Sequence, residues 1–159
     1  MTRVRPADVR FYVDADLAGL GKLLVRLRPD VTYPGDPGGV VHARQRPPCP
    51  VATPATLDDV WIPLVAAQGW LIITRDRHIQ SRPAELAAVR EHGAKMVNLT
   101  SDAAGSTWEQ LRVALYQWPA FERAQGEPGP FIYRTTLAGM SLIDLGTGRV
   151  IPHKRGWAK

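Results

Sequence analysis

The stretch "GWLIITRDRHI", residues 69–79, changes character halfway along. Trp70-Leu71-Ile72-Ile73 is an unbroken apolar block, which reads as a buried strand. Thr74-Arg75-Asp76-Arg77-His78 follows at once and sets one carboxylate between two arginines at the strand's end. An Asp there is either a turn residue or a metal ligand, and the surrounding segments bear on the choice.

Upstream, Thr56-Leu57-Asp58-Asp59 opens a helix with Asp58 as the best N-cap candidate in the chain. Trp61, Ile62, Leu64, Val65 and Ala66 supply its buried face, Pro63 lies in or near its first turn, and Gly69 ends it. Earlier still, Val9–Val13 is a strand rich in β-formers that ends at Asp14-Ala15-Asp16. Leu17, Leu20, Leu23, Leu24 and Leu27 then recur at helical spacing until Pro29-Asp30. Residues 30–56 are rich in Pro and Gly and read as a long loop with one short strand near Val31–Tyr33. Downstream, the pattern predicts a helix from Pro83 to His92 closed by Gly93, and a strand over Ala94–Leu99. It then predicts a capping box at Ser106–Glu109 with a helix to about Gln117, and a loop over Pro119–Pro130. Strands follow at Phe131–Thr135, Ser141–Leu145 and Arg149–Ile151.

Strands alternating with helices imply an α/β fold whose sheet is mainly parallel and covered on both faces. The last strands are expected as an antiparallel addition at the sheet edge or as a small lid. Residues 1–130 form the main body, and 131–159 a β extension with a basic tail in the same domain. The 159 residues suffice for one domain with a sizeable core. No apolar run is long enough to span a bilayer, and Met1–Pro6 lacks a secretory core, so the expected location is cytoplasmic with no membrane partner. A single cysteine, Cys49, excludes a disulfide framework and a thiolate zinc site. Net charge is +5, with Arg149, Lys154, Arg155 and Lys159 unopposed by any acid in the tail, a mild pointer to polyanions. The five tryptophans read mostly as core, with Trp157 in the basic tail.

In an open parallel sheet, sites form beyond the carboxyl ends of the strands. Asp14 and Asp76 each end an apolar strand and so share that edge. Asp58 and Asp59 begin the helix that feeds the later strand and in principle lie at the far edge, unless the helix packs over the site. Two carboxylates about 4 Å apart repel by roughly 4 kcal/mol at an effective dielectric of 20. Mg²⁺ or Mn²⁺ would remove that conflict and could activate water against a phosphodiester. Arg75, Arg77 and Lys22 would then hold the polymer, with His78 near enough to touch it, and Thr74 could orient Asp76 or a metal-bound water.

Phe11–Leu17, Leu57–Pro63 and Gly69–His78 together resemble the PIN-like domains, over about residues 9–100. The third block, strand-Thr-Arg-Asp, is the most specific. The resemblance implies a Rossmann-like three-layer α/β/α nuclease fold and an acidic site binding Mg²⁺ or Mn²⁺ and acting on RNA. It implies a toxin-like endoribonuclease of the kind found in bacterial toxin–antitoxin pairs, with a cognate antitoxin and a homodimer as partners. Position by position, Asp14 matches the first-strand acid, Asp76 the later one, and Asp58 or Asp59 the helix acid, with Asp58 favoured by its spacing to Trp61. Asp16 matches an additional acid. The region after the next strand departs from the pattern; Asn98 and Asp102 are its candidates, and neither is a clean match.

Two other readings compete. Asp14-Ala15-Asp16 also resembles the opening of haloacid-dehalogenase-type phosphatases, but Ala18 stands where Thr or Val is usual and no suitable downstream Lys and paired Asp follow. A PIN-like module that binds nucleic acid or protein without catalysis is the third reading. The four histidines, His42, His78, His92 and His153, lack zinc spacing, and no partner His is evident for Cys49.

Overall fold

The computed structural model describes residues 3–75, 82–100 and 104–152. A six-stranded sheet runs β3 (Val31–Thr32), β2 (Phe11–Val13), β6 (Leu71–Thr74), β7 (Lys95–Leu99), β8 (Phe131–Thr136), β9 (Gly139–Leu142). The first five strands are parallel, and β9 alone is antiparallel, folded back on β8. Among the described residues, four helices cover the sheet: α1 (Ala18–Leu27), α2 (Asp58–Ala67), α3 (Pro83–His92) and α4 (Thr107–Gln125).

The pleat sorts each strand between two cores. Phe11, Val13, Leu71, Ile73, Val97 and Phe131 face one way, under α1 and α4. Tyr12, Ile72, Met96 and Ile132 face the other way, under α2 and α3. Burial on both faces explains why these strands are continuously apolar rather than alternating. The fold is therefore the expected three-layer α/β/α sandwich, and β8–β9 is the expected C-terminal hairpin.

Several local expectations change. α4 continues through Pro119 to Gln125 instead of yielding to a loop. Pro119 is exposed, while Gln117, Trp118, Phe121 and Ala124 keep a buried stripe. The Trp118 ring sits 4.7 Å from that of Phe11 and 5.7 Å from that of Phe121. Burial of these rings outweighs the hydrogen bond that proline removes. At the start of α4, Ser106 Oγ accepts from the Glu109 N–H at 3.2 Å. The Glu109 carboxylate accepts from Gly105 N–H, one residue earlier than in a reciprocal capping box. The strand expected at Ser141–Leu145 is shifted to Gly139–Leu142, and Val150 makes only a single bridge to Ile143.

The loop read over residues 30–56 holds more than one short strand. β4 (Gly39–Val41) and β5 (Arg44–Arg46) form a hairpin, and β5 pairs in parallel with β1 (Arg5–Pro6) to make a second, three-stranded sheet. A buried Arg46–Asp36 ion pair anchors it, with Thr32 Oγ1 and Gly38 N–H also donating to Asp36. Only polar residues carry this anchor, so no hydrophobic period announces it. It delivers the following segment, including Pro54 and Thr56, to the rim of the cleft described next.

Candidate active site

An open cleft of about 500 Å³ lies beyond the carboxyl ends of β2 and β6. Asp14, Asp16, Asp58, Thr74, Arg75, Arg82 and Glu85 supply its polar lining. The Asp14 N–H donates to Ile73 O at 2.9 Å, which continues the β2–β6 ladder and fixes the Asp14 backbone at the edge. Asp14 Oδ1 accepts from the Ala15 N–H at 2.7 Å and so caps a short 3₁₀ turn, Ala15–Leu17. That turn brings Asp16 back beside Asp14. The Thr74 hydroxyl lies 3.3 Å from Asp14 Oδ2, and 3.5 Å and 3.4 Å from the two Asp16 oxygens. The Arg75 N–H donates to Asp16 Oδ2 at 3.1 Å. The buried Thr74 is thus the joint between the two carboxylates.

Asp58 reaches the cleft from the other core layer. It is not the N-cap: Leu57 holds that position, and Asp58 is the first residue of α2. Its Oδ1 accepts from Trp61 Nε1 at 2.9 Å, and the Trp61 ring stacks on Tyr12 with centroids 5.2 Å apart. Tyr12 of β2 therefore steers Asp58 through an indole. Burial first, then the charges of Asp14, Cys49, Asp16 and Asp58, push the Tyr12 hydroxyl well above the ordinary tyrosine range. Asp14, Asp16 and Asp58 thus act on one phenol from a common neighbourhood.

The expectation that Asp58 and Asp59 lie at the far edge is overturned for a topological reason. A helix returning to a parallel strand runs antiparallel to it, so its N-terminus and the strands' C-termini meet at one edge. The same rule brings Glu85 and Arg82, at the start of α3, into the cleft. Their side chains approach to 3.9 Å. Sequence reading missed both, although their place at the start of a crossover helix could have flagged them. Asp59 is exposed and is not among the residues that line the cleft. Lys22 is exposed on α1 and also stands outside the lining. Asn98 is buried at the end of β7, in register beside Thr74. Asp76, Arg77, His78, Asp102 and the tail from His153 lie outside the described residues.

The donors suit a hard cation: carboxylate and hydroxyl oxygens face a polar cleft, without sulfur. Among the described residues, no three His, Cys, Asp or Glu side chains group closely enough to hold a metal by themselves. Arg75 Nε is buried and makes no hydrogen bond among the described residues, which leaves a cationic donor at the cleft wall. Cys49 is buried, and burial pushes its thiol up, so it is ill suited to act as a nucleophile.

A fold of this topology, with acids at the carboxyl edge of the sheet, defines an α/β domain built for polar chemistry at one rim. A family model described as "PIN like domain" matches residues 9–101, and the chain belongs to that family. PIN domains are typically nucleases and often depend on metal ions. No curated protein and no solved structure matches the chain. Among the described residues, no helix is long and apolar enough to cross a membrane.

Proposed function

We propose that the protein is a Mg²⁺- or Mn²⁺-dependent endoribonuclease, of the kind that serves as the toxin of a bacterial toxin–antitoxin pair. The observation that carries this reading is the pairing of Asp14 and Asp16 across the Thr74 hydroxyl at the carboxyl edge of a parallel sheet. Two carboxylates presented side by side are the oxygen donors that a hard divalent cation takes. Asp14 and Asp16 would hold the ion, with Asp58 as the acid facing them and Asp76 as the further acid assigned by family pattern. Bound there, a divalent ion supplies an activated water and offsets the charge that builds on a phosphodiester.

The protein's own residues do the rest. Thr74 and the Arg75 N–H hold Asp16 in place, and the Trp61 indole fixes Asp58. Arg75 and Arg82 set positive charge on the cleft wall, where an RNA phosphate would sit. Arg77 and His78 carry the same assignment from sequence. A cognate antitoxin and a homodimer belong to the toxin reading as partners.

The test is cleavage of a mixed-sequence single-stranded RNA with Mg²⁺ or Mn²⁺, with EDTA, and by Asp14→Asn and Asp58→Asn variants. Metal-dependent cutting that both folded variants lose is the expected result. RNA that is bound but never cut, in either metal, would overturn the nuclease in favour of a binding module. Phosphomonoester hydrolysis through a trapped phospho-aspartate would overturn it in favour of a phosphatase.

A further inference from the structure

We infer that the outer face of α4 is a track for single-stranded RNA leading away from the cleft. Trp108, Arg112 and Tyr116 recur every four residues on that face. Trp108 was expected in the core with most of the tryptophans; instead it is 75% exposed, and Tyr116 is 70% exposed. Trp61, Trp70 and Trp118 are buried, so Trp108 alone among the described tryptophans faces solvent. Large aromatic rings held in water on a regular helix are an unusual cost.

Charge selects the occupant. The two acids of α4 are both engaged: Glu109 accepts from Gly105 N–H, and Glu122 pairs with Arg28 at 3.2 Å. Arg112 and Arg123 are exposed and have no acidic partner among the described residues. Alongside, α1 exposes Lys22 and Arg26. The two helices lie side by side, since a Cβ at Gly19 would meet Thr107 Oγ1 at 2.8 Å and Arg28 reaches Glu122. Basic side chains interleaved with exposed rings suit a single strand, whose bases stack while its phosphates are neutralised. A protein partner would be drawn equally by the rings, but not by the uncompensated positive charge.

Position ties the track to the cleft. α4 starts at the edge where β7 ends, and its Thr107 packs against Gly19 in the first turn of α1, three residues after Asp16. Trp108 therefore stands near the site, and Tyr116 lies about 12 Å further along the helix. The track also gives Lys22, which does not line the cleft, a place on the substrate's path. Residues 107–125 lie beyond the stretch matched by the family. The inference takes its RNA ligand from the proposed function but does not require cutting.

Binding is measured in EDTA, by anisotropy of a labelled single-stranded RNA of mixed sequence, with oligomeric state followed by light scattering. Trp108→Ala and Tyr116→Ala are each expected to weaken binding about tenfold. Arg112→Ala should flatten the slope of log affinity against log salt by about 0.7. A Leu64→Ala control, on the other helical layer, should change neither. This result supports the track whether or not the RNA is cut in metal, so failure of the nuclease reading appears separately, as binding without cutting. Wild-type protein that does not bind RNA, or aromatic variants that bind as well as wild type, would overturn it. Variants that dissociate a dimer with RNA affinity unchanged would assign the face to a second copy of the chain instead.

Discussion

Removing one carboxylate from the Asp14–Asp16 pair should destroy the protein's response to metal. The Thr74 hydroxyl lies 3.3 Å from Asp14 Oδ2 and 3.4 Å from Asp16 Oδ2, so the two acids offer their oxygens to one place. Asp14→Asn keeps an oxygen to accept from the Ala15 N–H, so the 3₁₀ turn survives. With Mn²⁺ at a hundred times its dissociation constant, the wild type should gain about 2.7 kcal/mol and the variant little. For a chain of this size that is a rise in melting temperature of about 5–10 °C in the wild type. Differential scanning fluorimetry with Mn²⁺ and with EDTA reads the difference. A variant that gains as much from Mn²⁺ as the wild type would refute the place of Asp14 in the site. A wild-type melting temperature indifferent to Mn²⁺ and Mg²⁺ would refute the metal assignment.

Thr74→Val is nearly isosteric and removes only the hydroxyl between the two acids; it should weaken Mn²⁺ binding about 10- to 100-fold by calorimetry, with Thr74→Ser close to wild type. Tyr133 is pushed up to about 12 by burial and by its hydrogen bond to Glu127. The folded state thus resists ionisation, so this contribution to stability is complete below pH 10 and is lost as pH rises from about 10 to 12. Denaturant melts across that window should fall more steeply for the wild type than for Tyr133→Phe. A Cβ at Gly129 would run into the Gly93 carbonyl oxygen, so Gly129→Ala should cost about 1–3 kcal/mol in chemical denaturation despite lying in a surface loop.

What could be read in the chain follows from how each feature is encoded. The buried strands were legible because burial on both faces makes Phe11–Val13 and Leu71–Ile73 continuously apolar. Asp14 stood out because it and Asp76 each end an apolar strand, although a single Asp there is also an ordinary cap, which Asp14 is for the 3₁₀ turn. The edge on which Asp58 falls was misjudged although the expected parallel sheet already implied it, because a crossover helix runs antiparallel to its strands and starts at their carboxyl ends. Glu85 and Arg82 were missed for the same cause. The length of α4 was hidden by Pro119, whose local penalty is plain in sequence, whereas the Phe11–Trp118–Phe121 packing that outweighs it joins residues more than a hundred positions apart. The small β1–β5–β4 sheet rests on a buried Arg46–Asp36 pair, and ion pairs leave no period behind.

The distance along the chain between β2 and β6 governs when the site can exist. Asp14 and Thr74 are separated by 60 positions. At typical rates of translation, Asp14 and Asp16 emerge roughly 3–12 s before the hydroxyl that joins them. The core face beneath α1 must then wait for Trp118, Phe121 and Phe131, so β2 and β6 acquire their full cover only when most of the polypeptide has been made. On the proposed nuclease reading, this order keeps the site inert toward the ribosome and message that are producing it, because Asp14 and Asp16 lack Thr74 and a covered sheet until the last third of the chain arrives.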